Sequence, residues 1–347
     1  MQIQGSKHVK AEFQYSVENL RGLAILFVLL SHVTSFENLG GFGNYFLFFF
    51  RDATTWFVFI SGYLFYCTER NKFNYWGYLR KKLKFVIFPY LILSVPAICI
   101  GIYLNRYAYM GLSQLAYGLW SLVVGGSVIG PMWFIPMIAI FFVVSPLFFR
   151  LGGSRVQYMV LMCGLAFSLF STRPFKNLNP FLSFVHFFGF YVLGIVVSFN
   201  SERIRRVAGE KSGLFLMCGT FLLFILSSAL HIYGDQSDPA GFQEGLGSFN
   251  NAQLGKLALL ALTFLLFSRF LNVRNRILAW LAEISFGLFF MQGFFMAIFG
   301  QLSYRVTFGH PLMMLLAELS ILLGGSVLAV LIIKRITGRW SRYVIGC

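Results

Sequence analysis

Ten long apolar runs determine what this chain can fold into. A helix needs about 20 apolar residues to cross the roughly 30 Å hydrocarbon core of a bilayer, and each run comes near that length. The runs lie at about 20–36, 45–67, 85–104, 131–149, 156–171, 181–199, 213–232, 253–270, 277–299 and 311–333. This pattern predicts an all-α, polytopic integral membrane protein with about ten transmembrane helices, forming one domain over residues 1–347.

The composition excludes a water-soluble globule. The chain is 58% hydrophobic and 12% charged, whereas soluble domains hold roughly 45–50% apolar and about 25% charged residues. A net charge of +16 would indicate nucleic-acid binding in a soluble protein. Here most basic residues lie in short segments between apolar runs, so the expected partner is the lipid bilayer and not nucleic acid. The five cysteines form no CxxC pair, and no metal site is predicted.

The basic residues also predict the orientation of the spans. With the N-terminus in the cytosol, 22 of the 28 Lys and Arg residues fall in inner segments. This bias follows the positive-inside rule, so both termini should be cytosolic in a multi-pass protein of the inner membrane. The chain then has a polar cytosolic segment at 1–18 and a basic cytosolic tail at 334–347. An eleventh run, 113–130, contains four glycines and is interpreted as re-entrant or interfacial.

The first apolar run carries two side chains suited to chemistry. Arg21 and His32 are 11 residues apart, which on an ideal helix places them within about 20° of one face and about 16 Å apart along the axis. An arginine at that depth is costly unless it faces a protein interior or a wet cavity. The alternative is structural, because a membrane histidine often hydrogen bonds to a neighbouring helix and a terminal arginine often extends to the interface.

Four stretches resemble signature segments of the acyltransferase-3 membrane family, in the family's order and over nearly the whole chain. They are the Arg21-x10-His32 pair, WFVFISGYLF at Trp56–Phe65, PMWFIP running on to FFVVSPL at Pro131–Leu147, and ISFGLFF at Ile284–Phe290. The sequence departs from the family at Gln292, where a histidine is common. This departure bears on the acceptor and not on acyl transfer.

The resemblance implies an O-acyltransferase. Such an enzyme moves an acyl group, commonly acetyl, from cytosolic acetyl-CoA to a hydroxyl of a glycan or small molecule. Typical acceptors are lipopolysaccharide, exopolysaccharide and other surface polysaccharides. The resemblance also implies that His32 and Arg21 are the functional pair, with no metal cofactor.

Binding of coenzyme A should require several basic side chains. Its phosphates bind Arg and Lys through charge-assisted hydrogen bonds. The expected donor-binding residues are Arg21 and, on a predicted inner loop, Arg80, Lys81, Lys82 and Lys84. The loop residues are equally well explained as topology signals or as a site for anionic lipids.

The transfer step assigns roles to further residues. His32 is expected to act as a general base or to carry the acyl group itself, and the sequence leaves both open. Possible oxyanion or acceptor contacts are Ser61, Tyr63, Trp133, Ser285 and Glu318. Ser61 precedes Gly62, a pairing that is also typical of close helix packing.

Two other classes of function compete with the enzyme. A proton-coupled transporter or exporter of a lipid-linked sugar would use Arg21, His32 and Glu318 as a relay. It should show repeat symmetry and matched broken helices, and neither is evident in the sequence. A structural or assembly subunit would keep its function in a His32→Ala variant.

Overall fold

Every long regular element of the structure, a computed structural model, is helical. The described residues are 4–50, 53–103, 113–125, 129–171, 173–174, 178–234, 249–305 and 310–347. Over these residues there is no β-strand, and the all-α prediction is confirmed.

The helices follow one another closely along the chain. They are α1 (Gln4–Leu30), α2 (Gly41–Phe50), α3 (Thr54–Glu69), α4 (Tyr75–Lys82), α5 (Phe88–Tyr103), α6 (Gln114–Val124), α7 (Phe134–Val143), α8 (Ser145–Leu151), α9 (Val156–Leu169), α10 (Pro180–Phe199), α11 (Ser201–Gly209), α12 (Lys211–Gly234), α13 (Asn251–Phe270), α14 (Arg276–Arg305), α15 (Pro311–Leu319), α16 (Ser326–Thr337) and α17 (Ser341–Val344). Short 3-10 turns cover Thr34–Leu39, Gly130–Trp133 and Gly338–Trp340, and π-helical segments cover Leu83–Ile87 and Ser320–Gly325.

Six helical segments in the described part of the chain are long and apolar enough to cross a membrane. They are Tyr75–Tyr103, Pro180–Phe199, Lys211–Leu230, Asn251–Phe270, Arg276–Ser303 and Pro311–Val344. A seventh span is added if Gly130–Val143 and Ser145–Leu151, which meet at a bend of 58°, are taken together. These segments fit a multi-pass membrane protein and correspond to seven of the predicted runs. The total of ten and the cytosolic termini stay predictions.

Three boundaries differ from the sequence prediction. Helix α1 begins at Gln4, inside the segment predicted as a polar lead-in, because hydropathy marks only the part of a helix that suits lipid. The run predicted at 45–67 is divided, since α2 ends at Phe50 and α3 begins at Thr54. The basic segment Arg80–Lys84, predicted as a loop, forms the last turn of α4 and the start of a π segment.

The run at 113–130 contains one short helix. Helix α6 has 11 residues, so at 1.5 Å per residue it covers only about 16 Å and cannot cross the hydrocarbon core by itself. It ends at Gly125, whose φ of +78° suits glycine. This agrees with a segment that does not span the membrane. Residues 126–128 lie outside the described part of the chain.

Close helix contacts place α1 and α3 at the centre of the structure. A Cβ at Gly22 of α1 would lie 2.1 Å from the carbonyl oxygen of Leu278 on α14. A Cβ at Gly62 of α3 would lie 2.0 Å from the carbonyl oxygen of Tyr191 on α10. Small residues allow helix backbones to approach this closely. The α1–α14 contact brings the first-helix candidate residues against the late helices.

Candidate functional site

Arg21 lies within α1, where the first predicted span begins on its inner side, and is held there against α14. Its Nε donates a 2.9 Å hydrogen bond to Ser285 Oγ, and its guanidinium lies 5.6 Å from the ring centre of Phe286. The fully buried Ser285 hydroxyl in turn donates to the carbonyl of Ala282 at 2.8 Å. Among the described residues, no carboxylate lies within ion-pair distance of Arg21. Glu18, one turn earlier on α1, is within electrostatic reach of Arg21 but not paired with it. A positioned, partly buried cation of this kind is suited to binding an anion.

Lys82 approaches the same end from α4. Its Nζ lies 5.2 Å from the ring centre of Tyr78 and 4.9 Å from that of Phe142, and it is close enough to Arg21 for their charges to interact. The neighbouring Arg80, Lys81 and Lys84 are exposed. The predicted basic cluster is therefore divided, with Lys82 half-buried and the other three exposed.

The C-terminal segment folds back onto this end of the molecule. The Lys84 Nζ lies 4.7 Å from the ring centre of Tyr343, and the Arg342 guanidinium lies 4.1 Å from that of Phe85. Arg342 is also within electrostatic reach of Arg21. The sequence interpretation treated 334–347 only as a basic tail and missed this contact, although the aromatic residues set between its arginines are a signal for packing.

Cys347 joins the same segment to α14. Its Sγ lies 2.8 Å from where a Cβ on Gly287 would be. Burial raises the pKa of the Cys347 thiol, an effect larger than the opposing one of the Arg21 charge. A thiol with a raised pKa is protonated at neutral pH, so Cys347 is a packing residue and not a ready nucleophile.

His32 lies just beyond the end of α1. The Ser31 amide still donates to the carbonyl of Phe27 at 2.8 Å, but the His32 amide donates to that of Leu29 at 3.2 Å, three residues back. This change from the α pattern to a 3-10 pattern tightens the last turn. The offset and separation expected for Arg21 and His32 on an ideal helix stay predictions. His32 is half-buried at the start of a turn.

Glu318 of α15 anchors the turn that follows His32. Its Oε1 accepts hydrogen bonds from the Thr34 amide at 3.0 Å and the Thr34 hydroxyl at 3.1 Å, and its Oε2 accepts one from the Ser35 amide at 2.8 Å. The carboxylate is 4% exposed. Amides at the start of a helical turn lack partners within the helix and favour a negative charge. Glu318 thus fixes the backbone two residues after the candidate catalytic histidine.

Arg173 and Trp133 form a second polar group on the His32 side. The Arg173 guanidinium lies 5.9 Å from the Trp133 ring centre, and Trp133 stacks on Phe187 with ring centres 5.8 Å apart. Arg173 is within electrostatic reach of His32. The sequence analysis did not name Arg173 as a candidate site residue. A basic residue on the predicted outer side is an exception to the positive-inside rule, and this exception could have identified Arg173 as a candidate.

A small apolar cavity lies beside the residues that hold Arg21. Its lining includes Val28 of α1, Phe134 of α7 and Phe289 of α14, together with the two α14 residues that contact Arg21, Ser285 and Phe286. Its volume is about 10 Å³, which is room for about one water molecule.

The other predicted contacts lie in different surroundings. Tyr63 packs its ring between Phe59 and Phe264, with centre distances of 6.4 and 6.3 Å. Ser61 is half-buried beside Gly62, whose contact with α10 supports the packing interpretation of that pair.

Gln292 is fully buried, and neither polar atom of its side chain has a partner among the described residues. An unpaired buried amide calls for a partner, and a bound substrate is one.

The comparisons with known proteins give one result. A family model described as an acyltransferase domain matches residues 14–335, nearly the whole chain. No curated protein and no solved structure matches the chain. The matched region includes Arg21, His32, Ser285 and Glu318, and it ends before Arg342. Among the described residues, no group of three or more His, Cys, Asp or Glu side chains could hold a metal ion.

Proposed function

Because this chain belongs to the acyltransferase-3 family, we propose that it moves an acyl group, acetyl in the first instance, from cytosolic acyl-CoA to a hydroxyl outside the cytosol. The acceptor is a surface glycan such as lipopolysaccharide or exopolysaccharide, or a small molecule with a similar hydroxyl. The proposal places the protein in the inner membrane, where both substrates are within reach.

The arrangement of Arg21 and His32 carries this proposal. Arg21 lies within α1, nine residues before its C-terminal end, and is fixed by Ser285 of α14, whereas His32 lies just past that end and precedes a turn fixed by Glu318 of α15. The Arg21 guanidinium and the turn after His32 are thus held separately, by hydrogen bonds to two different helices. Coenzyme A has the same layout, with phosphates at one end and the thioester at the other.

The cations at the Arg21 end are the proposed phosphate site. Arg21 offers a planar fork of donors that suits phosphate, while Lys82 and Lys84 supply point charges. Arg342 adds a fourth cation from the C-terminal segment. The exposed Arg80 and Lys81 would act at longer range, by drawing the polyanionic donor toward the membrane surface.

His32 is the proposed centre of the transfer step. As a general base, its neutral imidazole takes the proton of the acceptor hydroxyl while the hydroxyl oxygen attacks the thioester carbonyl; the coenzyme A sulfur leaves and takes a proton from the imidazolium. In the covalent alternative, an imidazole nitrogen attacks the thioester carbonyl and coenzyme A leaves as its thiolate; the acceptor hydroxyl then attacks the acyl-imidazole, gives its proton to that thiolate or to water, and neutral imidazole leaves. The Arg173 guanidinium is the proposed donor to the developing oxyanion.

Glu318 favours the enzyme over the transporter. A relay residue must bind and release protons, which requires exchange with water or with another titratable group. Glu318 instead accepts three hydrogen bonds from Thr34 and Ser35 and is nearly inaccessible. These contacts are those of a carboxylate that anchors a turn, which supports the enzyme over the relay.

The test is acyl transfer by the purified protein in vesicles. Labelled acetyl-CoA is supplied on one side and a surface-glycan extract on the other, and His32→Ala is compared with His310→Asn. His310 is an exposed histidine that caps α15, and asparagine preserves a cap. Loss of a general base costs about 10²–10⁴-fold in rate, so His32→Ala should show no transfer above background.

The outcomes separate the alternatives. Near-normal transfer by a well-folded His32→Ala protein would make the imidazole a packing residue and would refute the proposed mechanism. Movement of unmodified glycan across the vesicle without acetyl-CoA would favour the transporter. Detection of acetyl on His32 by peptide mass spectrometry would select the covalent path over the general base.

A further inference from the structure

A second and larger cavity lies away from the Arg21–His32 site, between α10 and α13. Its volume is about 460 Å³, within the range of about 300–1,000 Å³ that is typical of ligand sites. We propose that it binds one acyl chain of an anionic phospholipid of the cytosolic leaflet, with the lipid phosphate at Arg203. This inference does not depend on the proposed acyl transfer.

The body of the cavity is hydrocarbon-like. Phe59 of α3 lies at its base, Leu193 of α10 forms one wall, and Leu260 and Phe264 of α13 form another. The Phe59 and Phe264 rings meet edge to face with centres 5.6 Å apart. Leu216 of α12 also lines it and is half exposed. An apolar chain is therefore the occupant that matches this lining.

The polar side chains of the cavity are gathered at one end. The Tyr158 hydroxyl and the Asn200 amide hydrogen bond to each other, with atom separations of 3.1 and 3.3 Å. Arg203 lies one turn after Asn200 and also lines the cavity. Tyr158, Asn200 and Arg203 are at the ends of α9, α10 and α11 that the basic residues place in the cytosol. A lipid has the same polarity, with its phosphate at the interface and its chain below.

The positive charge of the α11 arginines favours an anionic lipid as the occupant of the cavity. Arg203 is exposed, and among the described residues it forms no hydrogen bond or ion pair. Helix α11 also carries Arg205 and Arg206, and basic residues at this depth attract anionic headgroups. The C-terminal end of α11 is fastened in place, because Arg269 of α13 donates to the carbonyls of Ala208 and Glu210 at 2.7 and 2.8 Å. These contacts fix the helix that carries Arg203, which itself lines the cavity.

The experiment measures retained lipid by native mass spectrometry. The delipidated full-length protein is incubated in detergent with phosphatidylglycerol or phosphatidylcholine, and bound lipid is counted. Arg203→Gln is compared with Arg206→Gln, which removes an exposed charge from the same helix outside the cavity lining. Ala261→Leu, which places a larger side chain in the cavity lining, tests the chain-binding part. Thermal unfolding of each variant confirms that it folds.

We expect the wild-type protein to retain one phosphatidylglycerol in preference to phosphatidylcholine. Arg203→Gln should lower that retention about fivefold, the effect of one basic residue near a lipid surface, while Arg206→Gln should leave it unchanged. Ala261→Leu should lower the retention of both lipids. Equal effects of the two arginine variants, or full retention by Ala261→Leu, would overturn the proposal. Displacement of the lipid by equimolar palmitoyl-CoA would assign the cavity to the acyl donor and would also overturn it.

Discussion

At the residue scale, Arg21 is the side chain whose binding role is most directly testable. A charge-assisted hydrogen bond contributes about 1.5–3 kcal/mol, so Arg21→Ala should weaken acyl-CoA binding by about 10–150-fold. Arg21→Lys should restore it only in part, because a lysine lacks the forked geometry. Isothermal titration of the purified protein gives both affinities. Unchanged affinity in Arg21→Ala would remove Arg21 from the donor site.

Glu318 should act on catalysis and not on donor binding. Glu318→Gln replaces one acceptor oxygen by an amide that faces a backbone N–H at Thr34 or Ser35, and an unsatisfied buried donor costs about 1–3 kcal/mol. Since the turn after His32 then loses its anchor, kcat should fall at least tenfold while the affinity for acyl-CoA stays unchanged. The matched control is Glu283→Gln, which breaks a more exposed ion pair with Lys334. An equal effect of the two variants would show that Glu318 is not a positioning residue.

The sequence named candidate residues but not their contacts. The length of the first apolar run made Arg21 a candidate, and the family resemblance made His32 one; the roles of both stay predictions. The contacts that define the site join residues far apart in the chain, such as Arg21 with Ser285 and Thr34 with Glu318. Hydropathy has no information about such pairs, because it depends on position along one helix and not on packing between helices.

At the scale of elements, both π-helical segments lie beside site residues. One begins directly after Lys82, and the other begins two residues after Glu318. A π turn adds a residue to a helix and shifts the side chains on either side of it, and such turns are frequent at functional sites. The apolar pattern of 85–104 or 311–333 cannot reveal this extra residue, because nearly every position in these runs is apolar.

A single methyl group added at the contact between α3 and α10 should lower the stability of the protein. Gly62→Ala brings a Cβ to 2.0 Å from the Tyr191 carbonyl oxygen, and overpacking of this kind costs about 1–3 kcal/mol or more. The control is Gly219→Ala on α12, where a Cβ meets nothing within 4 Å and alanine favours the helix. Thermal unfolding in detergent should show a lower transition for Gly62→Ala alone. An unchanged transition would mean that α3 and α10 are not this close.

The helical type of the elements was easier to predict than their breaks. Long apolar runs indicate helices, since only a helix satisfies every backbone group within one segment in lipid. The bend between α7 and α8 was not predicted, because it falls inside a run of uniform hydropathy. The gap between α2 and α3 was not predicted either, although the charged pair Arg51–Asp52, which lies outside the described residues, interrupts the apolar run there.

At the scale of the whole molecule, the proposed site has two ends separated by packed aromatic side chains. Cations from α1, α4 and the C-terminal segment gather at one end, and His32 lies just past the C-terminal end of α1. The cavity beside the Arg21 contacts holds about 10 Å³, far less than a pantetheine arm occupies. Binding of the proposed donor there requires side chains such as Phe289 to move.

The proposed chemistry requires that the Arg21 end faces the cytosol, which is a prediction about the whole chain. Because 22 of 28 basic residues fall on one side, positions 75 and 205 should be cytosolic and position 240 should be outside. The outer loop 233–252 carries Asp235, Asp238 and Glu244 and no basic residue; its residues 235–248 lie outside the described part of the chain.

Single cysteines placed at these positions, in a protein whose five native cysteines are replaced by serine, report the orientation. An impermeant maleimide should label Ala240→Cys in intact spheroplasts, and it should label Tyr75→Cys and Arg205→Cys only after the membrane is permeabilised. Labelling of position 75 or 205 from outside, or protection of position 240, would place Arg21 and Arg203 on the wrong side. In that case neither cytosolic acyl-CoA nor a lipid of the inner leaflet could reach them.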